Sequence, residues 1–501
     1  MIIRPRPHAA IGLSIVILTC AASAPAGLGD VEFPDTPAGR AARAFVEAFN
    51  SADAEVIAEF MRRHRSPAQL AERTAEQRAG QLVGAASTLG ALTVKEILEA
   101  RDHFIAFRTE SSAAPMALRC ALTLDEAPPH FVTNIELRPL PQGGGDSWAK
   151  QEWGSLQELL TRACQATGAP AIAAVVMVDG RVVDEAAAGV RLAGTDDRIT
   201  LDDRFHIGSI TKSMTATMIA RLIERGVLQW DDTIGHLLPD VEMHEQYRGV
   251  TLEQLLQHRA GLPPGTSGNE AVYEGDDDEN ASPSERRARF VARALKSEPV
   301  GPAGADSAYS NVGYAVAAAI AERAAGRSWA DLIRSEVFEP FAMASGGFGW
   351  PRSTDHPDQP SGHMRGGAGG ALVAAPADYV LGPDIAPAGD IHCTPRDLAA
   401  FGWNHLWGMK GNDGPVRAEP FRRLHTPLLP PEDNGYAAGW VIARRDGIGA
   451  VHWHNGSAGT FFAQLELHPE HNRVIVVMMN VGLEGQVIAD AIIAAIAAKS
   501  P

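Results

Sequence analysis

The chain has 501 residues, 45% of them hydrophobic and 21% charged, and a formal net charge of −17. That length exceeds one ordinary core and points to roughly two to four domains, with the composition of a soluble globular protein. The acidic balance argues against nucleic acid as a partner, and no P-loop, dinucleotide fingerprint or zinc-protease helix motif is present.

The first residues, MIIRPRPHAAIGLSIVILTCAASAPAG, place two arginines before an apolar run and small residues after it. This is the pattern of a secretory signal peptide over residues 1–26, cleaved after Ala26 in an A-x-A context. Thr19 is a poor residue ahead of a lipoprotein cysteine at Cys20. No later apolar run is long enough for a stable membrane span, so an exported, periplasmic or secreted protein is expected. Cleavage leaves Cys120, Cys164 and Cys393, which are far apart and odd in number; they allow one disulfide at most and read as buried free thiols.

Residues 37–88 carry helical periodicity. Four alternating segments follow: ALTVKEILEA, RDHFIAFRTE, PMALRCALTL and HFVTNIELRPL. In the third, Met116, Leu118, Cys120, Leu122 and Leu124 share a face; in the fourth, Phe131, Thr133, Ile135 and Leu137 do. Period two with polar residues between predicts half-buried antiparallel strands. Residues 30–138 therefore read as a small α+β accessory domain that looks like the cystatin-like or NTF2-like folds, with no catalytic constellation of its own. PLPQGGGDSW, within a linker over 139–150, closes it.

From 151 to 499 the pattern changes. A helix over 155–167 leads to the strand AIAAVVMV, and Asp179-Gly180 signals a hairpin into RVVDEAAAGV. Helical stretches are expected near 209–225, 251–257, 284–296, 311–325, 329–338 and 395–408. GYAAGWVIARR, GAVHWHN, GTFFAQLELHP and RVIVVMMN then return to strand, and EGQVIADAIIAAIAAK ends as a helix. Strands at both ends with helices between predict an α+β fold: one antiparallel sheet assembled from both ends of the domain plus a helical subdomain. The acidic stretch 270–285 lacks EF-hand spacing and reads as a solvated loop. The Gly/Pro-rich stretch 346–387 is a long irregular connection of the kind that often frames a site.

Ser209 and Lys212 stand where an apolar helix begins, on one face and about one turn apart. A desolvated lysine amine loses its proton more readily and can then take the proton of a neighbouring hydroxyl. Alone, Ser-x-x-Lys reads more readily as a capping serine and a solvated lysine. Two further signals change that. Tyr309-Ser310-Asn311 precedes another apolar helix, and His454-Asn455-Gly456 ends a strand.

This ordered set, S-x-x-K, Y-x-N and H-x-G, resembles the serine β-lactamase and penicillin-binding protein superfamily, in its class C-like branch of β-lactamases, DD-peptidases and esterases. The likeness runs over about residues 152–498 and includes VTLEQLLQHRAGLP, AYSNVGYAVAAAIAERAAG and PAGDIHCTPRDLAAF. It implies a β-lactamase/transpeptidase-like fold and a serine hydrolase that forms an acyl-enzyme on an ester, amide or β-lactam bond of a small-molecule or peptide substrate, with no cofactor or metal. Ser209 would be the nucleophile. Lys212 or Tyr309 would be the base, a choice the sequence leaves open. Asn311 would orient Lys212 and the substrate. The backbone N–H groups of Ser209 and Ser457 would face the acyl oxygen, and Gly456 would let the strand approach. His454 stands where penicillin-processing members carry lysine. A neutral histidine there suits a substrate carboxylate poorly, which weighs against strong β-lactamase action.

His452 and His454 point to one side of their strand, but no third metal ligand is evident. His258 and His363 read as structural, while Tyr436, Trp440 and Trp453 either line the pocket or pack the sheet. The competing reading is a penicillin- or peptidoglycan-binding module of the same fold with little turnover; a further one has the N-terminal domain recruit what the hydrolase cleaves. Oligomeric state is not legible.

Overall fold

The computed structural model describes residues 31–499 apart from 73, 113–116, 141–146, 266–279, 305–307, 366–371, 377–378, 429–433 and 483. The leader read in 1–26 with Cys20, the centre of the Pro/Gly connection, most of the acidic stretch 270–285 and parts of 346–387 lie outside the described residues.

The N-terminal unit begins with two capped helices. The Thr36 side chain accepts from the Gly39 N–H ahead of Pro37–Ser51, and Asp53 accepts from Glu55 and Val56 ahead of Ala54–His64. Helices Pro67–Glu72 and Ala75–Leu89 follow. Leu92–Arg101, Phe104–Ser111, Ala117–Leu124 and Val132–Leu140 then form an antiparallel meander. Leu118, Cys120 and Leu122 on the sheet pack with Phe45, Phe49 and Ile57 on the helices. The start of the last strand departs from its expected face, while Ile135 and Leu137 pack on this core as expected. A bulge pairs Leu124 with Val132 and Thr123 with Asn134, so Val132 is buried while Thr133 is exposed. One extra residue shifts the alternation by one, and Phe131 and Thr133 leave the core face.

The large body is built on a seven-stranded antiparallel sheet among the described residues. Its order is Asn434–Ala437, Trp440–Arg445, Gly449–Gly456, Phe462–His468, Arg473–Met479, Ala171–Val178 and Arg181–Gly189. The two ends of the body meet where Arg473–Met479 pairs with Ala171–Val178. Both faces of these central strands are covered, which explains their nearly unbroken apolar sequence. One face packs on Leu156–Thr167 and Gly485–Lys499, through Ile172, Ala174, Ile475, Val477, Leu159, Ile488 and Ile492. The other carries Ala173, Val175, Val474 and Val476 and joins the core of the helical region. Asp179 and Gly180 both hold positive φ, 48° and 75°, in the tight hairpin predicted there.

The helices fall close to their expected places: Thr211–Glu224, Leu252–Leu256, Pro283–Ala294, Asn311–Ala325, Trp329–Ile333 with its continuation Arg334–Phe338, and Pro395–Met409. Helix Thr211–Glu224 runs through the middle of the body, with every residue from Thr211 to Leu222 buried. Its buried polar members bond to the surrounding backbone, as Ser213 Oγ does to the Gly439 carbonyl at 2.6 Å and Thr215 Oγ1 to the Pro387 carbonyl at 2.8 Å. The segment read as one strand, GYAAGWVIARR, is instead a hairpin of Asn434–Ala437 and Trp440–Arg445. Gly439 turns it at φ 80°, and a Cβ there would lie 2.6 Å from Ser213 Cα. The absent side chain lets the hairpin rest on the buried helix. No helix among the described residues is long and apolar enough to cross a membrane. Cys120, Cys164 and Cys393 are free thiols; the first and last are buried and Cys164 is partly exposed.

Candidate active site

Ser209 lies in a 3₁₀ turn, Gly208–Ile210, that runs directly into helix Thr211–Glu224. The tighter winding stacks residues three apart. Lys212 Nζ therefore sits 2.9 Å from Ser209 Oγ, and it donates to the Ala388 carbonyl oxygen at 2.8 Å. Lys212 is fully buried, whereas Ser209 is partly exposed. No carboxylate pairs with the lysine among the described residues. Burial alone holds its amine well below the ordinary lysine value. A charged ammonium in such surroundings costs several kcal/mol, so the neutral amine is favoured. Its lone pair is then free to face the Ser209 hydroxyl.

Tyr309 joins this pair. Lys212 Nζ is 4.7 Å from its ring centre. Burial pushes the phenol above its usual value, while a hydrogen bond with the Ser209 side chain works the other way. The residue as a whole is 40% exposed, so solvent tempers the upward push. Ser310 caps the following helix, accepting from Gly313 at 3.1 Å and donating to the Pro263 carbonyl at 2.6 Å. Asn311 opens that helix. Its Nδ2 donates to the Gly265 carbonyl at 3.3 Å rather than to the lysine. The group that orients Lys212 is thus the Ala388 carbonyl, and the expected link from Asn311 is replaced by one to the loop at Gly265.

The end of strand Gly449–Gly456 closes the other side. A Cβ on Gly456 would lie 2.4 Å from the Ser209 nitrogen and 2.0 Å from the Ile207 oxygen. One on Gly208, at φ 49°, would lie 2.3 Å from the Ser457 nitrogen. The two glycines let two backbones touch, which brings the N–H groups of Ser209 and Ser457 side by side. The Ser457 hydroxyl is used within its own turn, donating to the Phe461 carbonyl at 2.7 Å. Paired N–H donors beside a hydroxyl are suited to an acyl oxygen that becomes negative.

His454 is 3% exposed, and both ring nitrogens face protein atoms: Nδ1 is 2.5 Å from the Asn455 carbonyl oxygen and Nε2 is 3.0 Å from Tyr436 Oη. A carbonyl can only accept, so Nδ1 carries the proton and Nε2 accepts from the phenol. Burial, with Lys212 nearby, holds the ring down to about 3. The ring is therefore neutral at ordinary pH and turns no free nitrogen toward a substrate. It steadies Tyr436 instead. His452 joins a separate chain, His452 to His425 to His405, with nitrogens 3.0 Å apart at each link. The two strand histidines take different partners.

Ala388, His206 and Asp390 escaped the motif reading, although Ala388 and Asp390 fall in the PAGDIHC stretch. His258, read as structural, and Tyr436, read as pocket wall or sheet packing, both stand at the site. His206 Nδ1 accepts from the Gly208 N–H at 3.3 Å, and its Nε2 lies 3.3 Å from Asp390 Oδ1. That links the serine turn to the segment carrying the Ala388 carbonyl. His363 is structural, bonded to Ala193 N and the Asn480 carbonyl. Trp440 is wholly buried in the core, whereas Tyr436 lines the site.

Residues 156–499 match the family model described as Beta-lactamase. Among named relatives, penicillin-binding protein 4 of Amycolatopsis lactamdurans is 28% identical over 331 residues, covering 64% of this chain and 83% of that protein. The D-alanyl-D-alanine-carboxypeptidase/endopeptidase AmpH of Escherichia coli (strain K12) is 24% identical over 320 residues, covering 60% and 76%. Among solved structures, the octameric penicillin-binding protein homologue from Pyrococcus abyssi superposes with a TM-score of 0.57 at 24% identity, over 68% of this chain and 75% of that one. A D-stereospecific amidohydrolase from Streptomyces sp. gives 0.53 at 22%, over 67% and 97%. At such identities the superpositions speak for a shared fold. The family match, which spans more than half of the sequence, carries the assignment: the chain belongs to the Beta-lactamase family and is a β-lactamase-related serine hydrolase.

Proposed function

We propose that the protein is an exported acyl hydrolase that cleaves ester or amide bonds through a covalent intermediate on Ser209. The observation that carries this reading is the 2.9 Å approach of Ser209 Oγ to the amine of a wholly buried lysine that has no carboxylate partner among the described residues. In this mechanism neutral Lys212 takes the Ser209 proton as the oxygen attacks the acyl carbon. The carbonyl oxygen, now negative, rests between the N–H groups of Ser209 and Ser457. The leaving alcohol or amine takes a proton from the Lys212 ammonium, relayed by the Tyr309 phenol. Water then attacks the acyl-enzyme by the same route in reverse, and Ser209 recovers its proton. Asn311, beside the Gly265 loop, contacts the substrate's polar backbone. The leader pattern in residues 1–26 supports export, and the names of the relatives support acyl transfer on D-amino-acid peptides or amides.

The neutral, enclosed His454 supports a preference for acyl groups with no carboxylate beside the scissile bond, because the strand offers no cation at that place. Parent and Ser209→Ala proteins incubated with a p-nitrophenyl ester, a chromogenic cephalosporin and a D-Ala-D-Ala peptide test the whole proposal. Turnover of the ester by the parent, reduced about 10⁴-fold or more in the variant, is expected. No turnover of any of the three overturns it, and a lasting adduct on Ser209 without release favours the binding module instead.

A further inference from the structure

We infer that His258 is a positioning residue for Tyr309, fixing the phenol against Ser209 from both sides in the chain; this rests on the role proposed above for Tyr309. The His258 carbonyl oxygen accepts from the Ala308 N–H at 2.8 Å, and its Nδ1 accepts from the Ser310 N–H at 3.1 Å. Residues immediately before and after Tyr309 are thus tied to one histidine. The imidazole itself lies 4.4 Å from the Tyr309 ring and 4.4 Å from the Tyr436 ring, centre to centre, tilted by 47° and 45°. It fills the space between the phenol next to Ser209 and the phenol that donates to His454.

Three features set this residue apart from ordinary core filling. It is 2% exposed, yet its Nε2 has no hydrogen-bond partner among the described residues. Because Nδ1 accepts a main-chain N–H, a neutral ring must carry its proton on that orphan nitrogen. Its backbone holds φ 58°, a left-handed conformation seldom taken by residues other than glycine. Strain and an unsatisfied donor persist where surrounding structure enforces them, and they cluster at functional sites. A phenylalanine would fill the same space but leave the Ser310 N–H buried without an acceptor. An asparagine would keep an acceptor at the same distance from the backbone and tolerate the left-handed conformation, but lose the ring contact. The bonds need the acceptor, and the contact needs the aromatic ring; histidine supplies both.

A double-mutant cycle on ester hydrolysis tests the inference. His258→Phe is expected to slow kcat about ten- to a hundredfold, the cost of misplacing a reacting group by an ångström or less, with KM within about threefold. His258→Asn is expected to lose about threefold to tenfold. In a Tyr309→Phe background either substitution should cost no more than about twofold further, since the group it positions is gone. Should His258→Phe fail to fold, the His258→Asn and Tyr309→Phe pair runs the same cycle. Equal losses in both backgrounds would assign His258 a general structural role and overturn the inference while leaving Tyr309 in place. A silent Tyr309→Phe would remove the Tyr309 role and this inference with it.

Discussion

Among the described residues the N-terminal core buries few polar side chains, and they bind the sheet, although Arg65 Nε is left without a partner. Arg65 Nη1 donates to the carbonyls of Val132 and Thr133 at 2.9 and 2.8 Å, and Thr109 Oγ1 lies 3.5 Å from Cys120 Sγ. Its charged residues mostly lie outside, as in the cluster of Arg62 with Glu55, Glu59 and Glu76. In the large body the buried polar groups are numerous. Some are paired in the usual way, such as Arg287 with Glu322 at 2.6 Å and Arg445 with Glu466 at 2.8 Å. Around Ser209 that compensation stops. Among the described residues Lys212 has no counter-charge, and burial holds His454 and His258 well below the usual histidine range. A core selected for stability alone would replace such groups with aliphatic ones or pair them. The contrast teaches where this chain trades stability for chemistry: in one region polar groups serve the fold, in the other the fold confines polar groups.

Three experiments would break or sharpen that contrast. Phe45 is fully buried in the N-terminal core. Phe45→Ala should destabilise that core by about 3–5 kcal/mol through the lost transfer energy and the cavity, read as a shifted denaturation midpoint. The kcat on an ester should stay within about twofold at a temperature where the variant is folded. A large kcat loss in the folded variant would deny the separation of roles. Gly456→Ala should do the opposite. Its methyl would meet the Ile207 oxygen and displace the strand from the serine turn. Losing one acyl-oxygen donor is worth about 3 kcal/mol, roughly a hundredfold in kcat, and unchanged kcat would mean that the two N–H groups do not act together.

The third experiment concerns acid. Burial holds His405 and His454 down to about 3 and His452 to about 4, against about 6.5 for an unfolded chain. Between those values the unfolded chain binds more protons. The stability these rings contribute is therefore complete above about pH 6.5 and is lost as the pH falls below it. The urea midpoint should decline from pH 7 to pH 5, before most carboxylates titrate. A flat midpoint over that interval would show that the three rings are not neutral in the folded body.

The local periods in the sequence locate the described helices of eight residues or more, because each apolar run is long and bounded by caps or glycines, and miss short ones such as Ile234–Leu237 and Ala418–Leu424. They also locate Ser209, Lys212, Tyr309 and His454, whose motifs are contiguous. What stayed hidden depends on contacts distant in the chain. Ala388 offers only a backbone oxygen, which no side-chain pattern reveals, yet it is what holds the Lys212 amine. Asn311 turned to Gly265 because the loop passes within reach of its amide. The face at the start of the fourth N-terminal strand followed a bulge that alternation cannot register. His454 stands at the site, but its partners, the Tyr436 phenol and its own neighbour's carbonyl, are not legible from the motif. The leader and the acidic stretch remain readings of the sequence.

The neutral amine beside the serine is tested most directly by the pH dependence of Ser209 modification with an acylating or phosphonylating probe, followed by intact mass. In the parent, the rate should climb with pH through a midpoint well below the ordinary lysine value of about 10.5, because only the deprotonated Lys212 can take the Ser209 proton. In Lys212→Met the rate should be about a hundredfold lower or less, with that midpoint gone. A parent profile that rises only near 10.5, or one that survives unchanged in Lys212→Met, would contradict the account.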